Sequence, residues 1–354
     1  MKIVVRMLSV LLVIAALTPA VRGQRALKVL VLYDMEGITG ADDYKKTTVA
    51  HPEAYALGRQ SLTADVNAAI VGLKAGGATE IVVVDGHGSG NNDEPDVIEG
   101  QLIAPARMHY RSTPFDIYMD SYDDSFDAIV AIGMHAGAGN RSGFLAHTYS
   151  SIDIEYRVSG VPFSETMILA MGAARLKIPV IMVSGDDQLE RQIRRQMPWA
   201  TYATVKHAVN IGKAEPQPRD EASRRIETAA REAVQSIAQA RLLEIPGPYR
   251  FALKFEEPAQ ARNAALLPGS ELLADGQTVQ VRAHDFEDGY RLSLRLINLA
   301  SVVGGLAGAQ AAIARLPNAQ PVRAGITDWV YDRWINGVPP PVLSPPPPRY
   351  WGAR

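Results

Sequence analysis

The sequence predicts an α/β protein with a mostly parallel central sheet flanked by helices, followed by a smaller C-terminal α+β portion. Three observations carry that expectation. Four short, nearly continuous apolar runs, Lys28 to Tyr33, Ile81 to Val84, Ala128 to Ile132 and Val180 to Val183, read as strands covered on both faces. Segments of helical periodicity separate them, as parallel strand crossovers require. Each run also ends in Asp, Glu or His close to a glycine: Asp34-Met35-Glu36-Gly37, Asp85-Gly86-His87, Gly133-Met134-His135 and Ser184-Gly185-Asp186-Asp187. Ligands of open α/β sheets bind outside the carboxyl ends of the strands, where these side chains would gather.

In chain order, residues 1–23 read as a secretory signal. Lys2 and Arg6 give a positive start, Met7 to Leu17 is apolar, and Val21-Arg22-Gly23 suits cleavage before Gln24. The run is shorter than the roughly 20 apolar residues that span a bilayer, and no second apolar stretch reaches that length. The expectation is a periplasmic or secreted protein without stable membrane insertion. Residues 24–245 form the α/β metal-binding portion. Within it, Glu53 to Ala75 places Leu62, Val66, Ala69, Ile70 and Leu73 on one helical face, with Gly76-Gly77 as the stop. A hairpin-like segment follows the third strand, with Ile152, Ile154 and Tyr156 alternating with polar residues and Ser159-Gly160 as its turn. Ser164 is suited to cap a helix from Glu165 to Ala174. Asp220 to Leu243 reads as an amphipathic helix, and Pro246-Gly247-Pro248 marks a boundary.

Residues 246–303 read as the smaller α+β portion, with strands Tyr249 to Glu256 and Thr278 to Ala283 and a helix from about Asp288 to Ala300. Residues 304–354 form an Ala/Pro-rich extension whose Pro345 to Pro348 favours polyproline geometry. Three of the four tryptophans, Trp329, Trp334 and Trp351, fall there, which predicts partial docking on the body or on a neighbouring subunit.

The balance of 36 basic and 38 acidic residues leaves no basic footprint and argues against nucleic acid. Seven histidines and no cysteine restrict any metal site to nitrogen and oxygen ligands. In an extended backbone Asp34 and Glu36 share a face. Together with Glu165 and the strand-end imidazoles His87 and His135, they suffice for two divalent metals if one carboxylate bridges. Zinc suits this set, and Mn2+, Co2+ or iron could occupy it. His147, in the loop Gly143 to Thr148, fits a general acid/base or an oxyanion donor better than a ligand. His51, His109, His207 and His284 have no comparable setting. No P-loop, nucleophile elbow or H-E-x-x-H occurs.

Five stretches, Asp34 to Gly40, Asp85-Gly86-His87 with Asn91-Asn92, Gly133 to Ala136, Gly143 to His147 and Pro162 to Glu165, resemble in order and spacing the D-aminopeptidase family of dinuclear zinc metallopeptidases. The similarity extends from about Leu27 to about Val303. The resemblance implies Asp34, Glu36, His87, His135 and Glu165 as ligands of two Zn2+ per chain, Asp34 bridging, and His147 as the catalytic residue outside the metal shell. It further implies cleavage of an N-terminal D-amino acid from short peptides, and ring-like homo-oligomers. Leu32 stands where the family has serine, and the signal segment and proline-rich tail are additions. The expected function is an exported zinc aminopeptidase using a water activated by both metals. A dinuclear amidase or L-peptidase on the same scaffold is one alternative; a non-enzymatic exported protein that binds a solute or metal is another.

Overall fold

The computed structural model describes residues 26–111, 116–337 and 349–350. The expected signal segment, the proline run and Trp351 lie outside the described residues. The first sheet draws on β1 (Lys28–Tyr33), β2 (Glu80–Asp85), β3 (Arg107–His109) and β4 (Ala128–Met134), with α1 (Pro52–Gly76) crossing from β1 to β2. After β4 the chain leaves this sheet for a hairpin, β5 (Asp153–Val158) and β6 (Val161–Pro162). It returns through α2 (Glu165–Ala174) to β7 (Val180–Asp186), α3 (Asp187–Gln196), β8 (Thr201–Asn210), β9 (Lys213–Pro216) and α4 (Arg219–Gln235). The strand order is β3-β2-β1-β4-β7-β8-β9, parallel except for the terminal β8–β9 pair.

Side-chain alternation along β1 divides the core. Val29, Val31 and Tyr33 face α1 and α4, where they meet Leu62, Val66, Leu73 and Ile226. Leu30 and Leu32 face the opposite layer, with Met167, Ile168 and Met171 of α2 and the aromatic side of a second sheet. All of these are essentially solvent-free, and each such side chain contributes about 1.5–3 kcal/mol by burial.

The second sheet is antiparallel. It contains β10 (Tyr249–Phe255), which is followed by α5 (Pro258–Ala264), β11 (Glu271–Leu272), β12 (Thr278–Ala283), α6 (Phe286–Ala314) and α7 (Ala319–Asn336). Its order is β11-β12-β10-β5-β6, so the hairpin between β4 and α2 belongs to the same sheet as the C-terminal strands. The boundary near residue 246 therefore divides the sequence without dividing the sheet.

Two helices differ in length from the periodicity reading. α4 stops at Gln235, where the Ser236 hydroxyl donates back to the Glu232 and Ala233 carbonyls, and a short 3-10 turn follows at Ile237–Gln239. α6 begins at a genuine cap, Asp285 accepting from the Glu287 and Asp288 amides, and runs on to Ala314. The Ala-rich stretch after Ala300 contains good helix formers and no proline before Pro317, so the helix continues. This corrects the expectation that no second apolar stretch reaches spanning length: by length and composition α6 is long and apolar enough to cross a membrane. Its first half is committed to the protein core through Phe286, Tyr290, Leu296, Ile297 and Ala300. Beyond it, α7 buries none of its residues, and Trp334 is 76% exposed.

Candidate metal centre

The carboxyl ends of β1, β2 and β4 converge. Beyond Tyr33 the chain stays on β4 for one more bond, Asp34 N–H to the Ile132 carbonyl at 2.8 Å, and Gly37 N–H then reaches the Gly133 carbonyl at 2.7 Å. This crossing needs its glycines. A Cβ on Gly37 would lie 1.9 Å from the Met134 carbonyl oxygen, while Gly133 has φ +73° and backs onto the Asp34 carbonyl. His87 follows β2 and His135 follows β4. Glu165 opens α2, its Oε1 accepting from the Tyr149 amide at 2.6 Å and its Oε2 from the Tyr118 hydroxyl. His147 lies in the loop before β5, between two non-glycine residues with left-handed backbone, Leu145 (φ 49°) and Tyr149 (φ 66°). Strained backbone of this kind concentrates at functional sites.

Among the described residues, two groups have ligand atoms within 4.8 Å of one another: Asp34, Glu36 and His87, and His135, His147 and Glu165. Asp34 joins them, its Oδ2 lying 3.3 Å from His135 Nε2. His87 Nε2 is 3.5 Å from Glu36 Oε1, and Glu165 sits 3.5 Å from His135 Nε2 and 3.7 Å from His147 Nε2. The rings of His135 and His147 stack at 4.1 Å. All six predicted residues thus line or adjoin one cavity of about 700 Å³, a volume suited to a short peptide.

Each imidazole is oriented by its far nitrogen. Nδ1 of His135 donates to the Ala136 carbonyl at 3.0 Å and Nδ1 of His147 to the Leu145 carbonyl at 2.7 Å. A carbonyl can only accept, so both rings carry a proton on Nδ1 and turn Nε2 inward, the atom that a cation would take in place of a proton. His87 Nδ1 meets the Asp96 carboxylate at 3.0 Å, the same arrangement with a charged acceptor; the Ser89 amide is farther from that nitrogen, at 3.3 Å. An oxygen or carboxylate behind the ring is the usual support of a metal-binding histidine.

Burial of so many charges perturbs them. Desolvation, reinforced by Glu36, lifts Asp34 to about 7. Glu165 is also pushed up by burial, but the charge of a protonated His135 outweighs this and takes it down to about 2. Burial and the neighbouring His135 lower His147. Buried Glu36 Oε2 and His135 Nε2 have no hydrogen-bond partner. Three carboxylates and three inward-facing Nε2 atoms, with Glu36 Oε2 and His135 Nε2 among them left unpartnered, form a donor set that fits two divalent cations.

The model of the D-aminopeptidase family matches residues 27–294, well over half of the chain. The chain belongs to that family. It is 28% identical over 282 residues to the D-aminopeptidase of Bacillus subtilis (strain 168), covering 77% of this chain and 98% of the relative. It superposes with a TM-score of 0.70 on the zinc-dependent D-aminopeptidase DppA of Bacillus subtilis, described as a self-compartmentalizing protease. That match has 26% identity and covers 78% of this chain and 98% of the other. With this membership the chain is a metallo-aminopeptidase, and its mixed sheet with flanking helices is the fold of that relative.

Several residues of this aminopeptidase site were not singled out from the sequence. Asp96, fully buried, holds His87 and accepts from the Gly90 amide at 3.1 Å and the Tyr55 hydroxyl. Its own amide donates to Asp85 Oδ2 at 2.9 Å, and Arg111 braces the Asp85 and His87 carbonyls. Lys206, fully buried, donates from Nζ to the carbonyls of Glu36 and Ala41, fixing the loop after β1. The docking expected of the tail's tryptophans is not seen among the described residues, since Trp329 and Trp334 are exposed; the contacts that hold the tail come from Arg349 and Tyr350 instead. Tyr350 N–H donates to the Gly90 carbonyl at 2.8 Å, Arg349 pairs with Glu94 at 2.9 Å, and the Arg111 guanidinium lies 3.7 Å from the Tyr350 ring centre.

Proposed function

We propose that the chain is an exported zinc aminopeptidase that removes the N-terminal residue, a D-amino acid, from short peptides at a dinuclear centre. The observation that carries this reading is the pair of facing donor groups, each with inward Nε2 atoms, in one peptide-sized cavity. Asp34, Glu36 and His87 would hold one ion, His135 and Glu165 the other, with Asp34 reaching both. Two zinc ions there would supply Lewis acidity to the scissile carbonyl and acidify a water.

The protein groups divide the remaining work. His147 is the most solvent-facing imidazole of the three, with its side chain 24% exposed against 1% for His135 and 11% for His87. Its Nδ1–H is held by Leu145, so Nε2 is the atom free to take a proton from the attacking water and deliver it to the leaving amine. Glu165, anchored by Tyr118 and the Tyr149 amide, keeps its position as charge moves. The signal-like residues 1–23 support export to the periplasm or medium, and the self-compartmentalizing relative supports a ring-like homo-oligomer.

The test counts metal per mature chain and compares D and L forms of one dipeptide. Near two ions in the wild type and clearly fewer in His135→Ala, with preferred turnover of the D form, is the expected result. Absence of bound metal after reconstitution with zinc, manganese or cobalt would overturn the dinuclear reading, and preferred turnover of the L form would overturn the stereochemical one. His147→Ala should keep its metal and lose turnover by about 10²–10⁴-fold.

A further inference from the structure

Four carboxylates line the cavity: Asp34, Glu36, Glu165 and Asp153. The first three belong to the metal-capable groups, and Asp153 belongs to neither. It is 3% exposed, and neither of its carboxylate oxygens has a hydrogen-bond partner. Leaving both oxygens of a buried carboxylate unsatisfied is costly, so the feature calls for an explanation.

Strand register supplies half of it. Along β5, Tyr156 and Val158 turn to the buried face opposite Leu253 and Phe251, so regular alternation would put Ile154 there and Asp153 outside. Instead Lys254 pairs with Glu155 while Phe255 pairs with Asp153, making Ile154 the extra residue of a bulge. The bulge reverses the phase and turns Asp153 inward, toward the cavity wall.

We propose that Asp153 receives the free α-ammonium group of the bound peptide. This rests on the aminopeptidase reading of the same cavity. An N-terminal ammonium brings one positive charge and three N–H donors, which match two unpartnered carboxylate oxygens; burial raises Asp153 well above the usual carboxylate range, and the arriving cation would favour its ionised form. Asp153 thereby selects substrates with an unblocked N-terminus and sets their register against the scissile carbonyl.

The test compares D-alanine with D-lactate, which differ only in amine against hydroxyl and undergo no hydrolysis. Their affinities for the zinc-loaded full-length protein are measured by calorimetry in wild type and Asp153→Asn, alongside metal content. The expected result is a loss of about 10–100-fold for D-alanine, little change for D-lactate, and an unaltered metal count. Equal losses for both ligands, no loss for either, or a drop in metal content would overturn the assignment. If Asp153→Asn does not fold, Asp153→Ser takes its place, and failure of both variants to fold would make the residue structural and overturn it as well. Absence of turnover in the zinc-loaded wild type would strike the aminopeptidase reading instead, while the D-alanine to D-lactate ratio would still decide the role of Asp153.

Discussion

Replacing Asp96 with asparagine tests how far the residues behind the imidazoles matter. Asp96 Oδ2 takes the His87 Nδ1 proton at 3.0 Å and the Gly90 amide at 3.1 Å, while Oδ1 takes the Tyr55 hydroxyl. Asparagine fits the same volume and can turn its single oxygen toward His87, so the ring keeps an acceptor. What disappears is the charge, and a charge-assisted hydrogen bond is roughly twice as strong as a neutral one. The change should cost about 1.4–2.7 kcal/mol at the ion held by His87, a zinc affinity about 10–100-fold weaker. Competition against a chromogenic chelator resolves the two binding steps. Only one step should weaken, since the Nδ1 atoms of His135 and His147 rest on backbone carbonyls that the substitution does not touch. Two unchanged steps would refute the orienting role of Asp96, and equal weakening of both would refute its confinement to His87.

Two other perturbations follow from the same geometry. Removing zinc with a chelator should lower the melting temperature measured by calorimetry, because free zinc at 100 times Kd stabilises the folded chain by about 2.7 kcal/mol per site; an unchanged transition would mean that the donor groups hold no ion. Gly37→Ala places a methyl group 1.9 Å from the Met134 carbonyl oxygen, and backbone cannot yield there as a flexible side chain would. A destabilisation of about 2 kcal/mol or more with loss of metal is expected, and a variant with wild-type melting and two ions would show that the crossing is not tight.

The strand ends were legible because a buried parallel strand has a plain signature and its last residues stand out against it. Asp34, Glu36, His87 and His135 each follow an unbroken apolar run, and the fold brings all four together. Asp96 had no such marker. It sits in an irregular stretch between Asn91 and Val97, and its role depends on a long-range approach to His87 that no periodicity encodes. Asp153 was hidden for the opposite reason: the alternation was visible, but a bulge reverses it at that residue. The length of α6 is hidden because the Ala-rich residues after Ala300 resemble the start of a separate extension in composition, whereas they continue the helix to Ala314. The pairing of β5 with β10 lies beyond local pattern altogether, since almost a hundred residues separate the partners.

That pairing determines how the protein can be cut. The segment from β4 to α2 carries His147, Asp153 and Glu165 on a single excursion, and its central strand is held between β10 and β6. A truncation at Pro246 would preserve every proposed metal ligand in the covalent chain. It would nevertheless leave β5 with a bare edge and remove Phe251 and Phe255 from against Tyr156. The excised N-terminal piece would own the chemistry without the means to aim it. The C-terminal strands thus clamp the segment that carries half of the proposed site, and neither portion is expected to serve as a self-sufficient cassette.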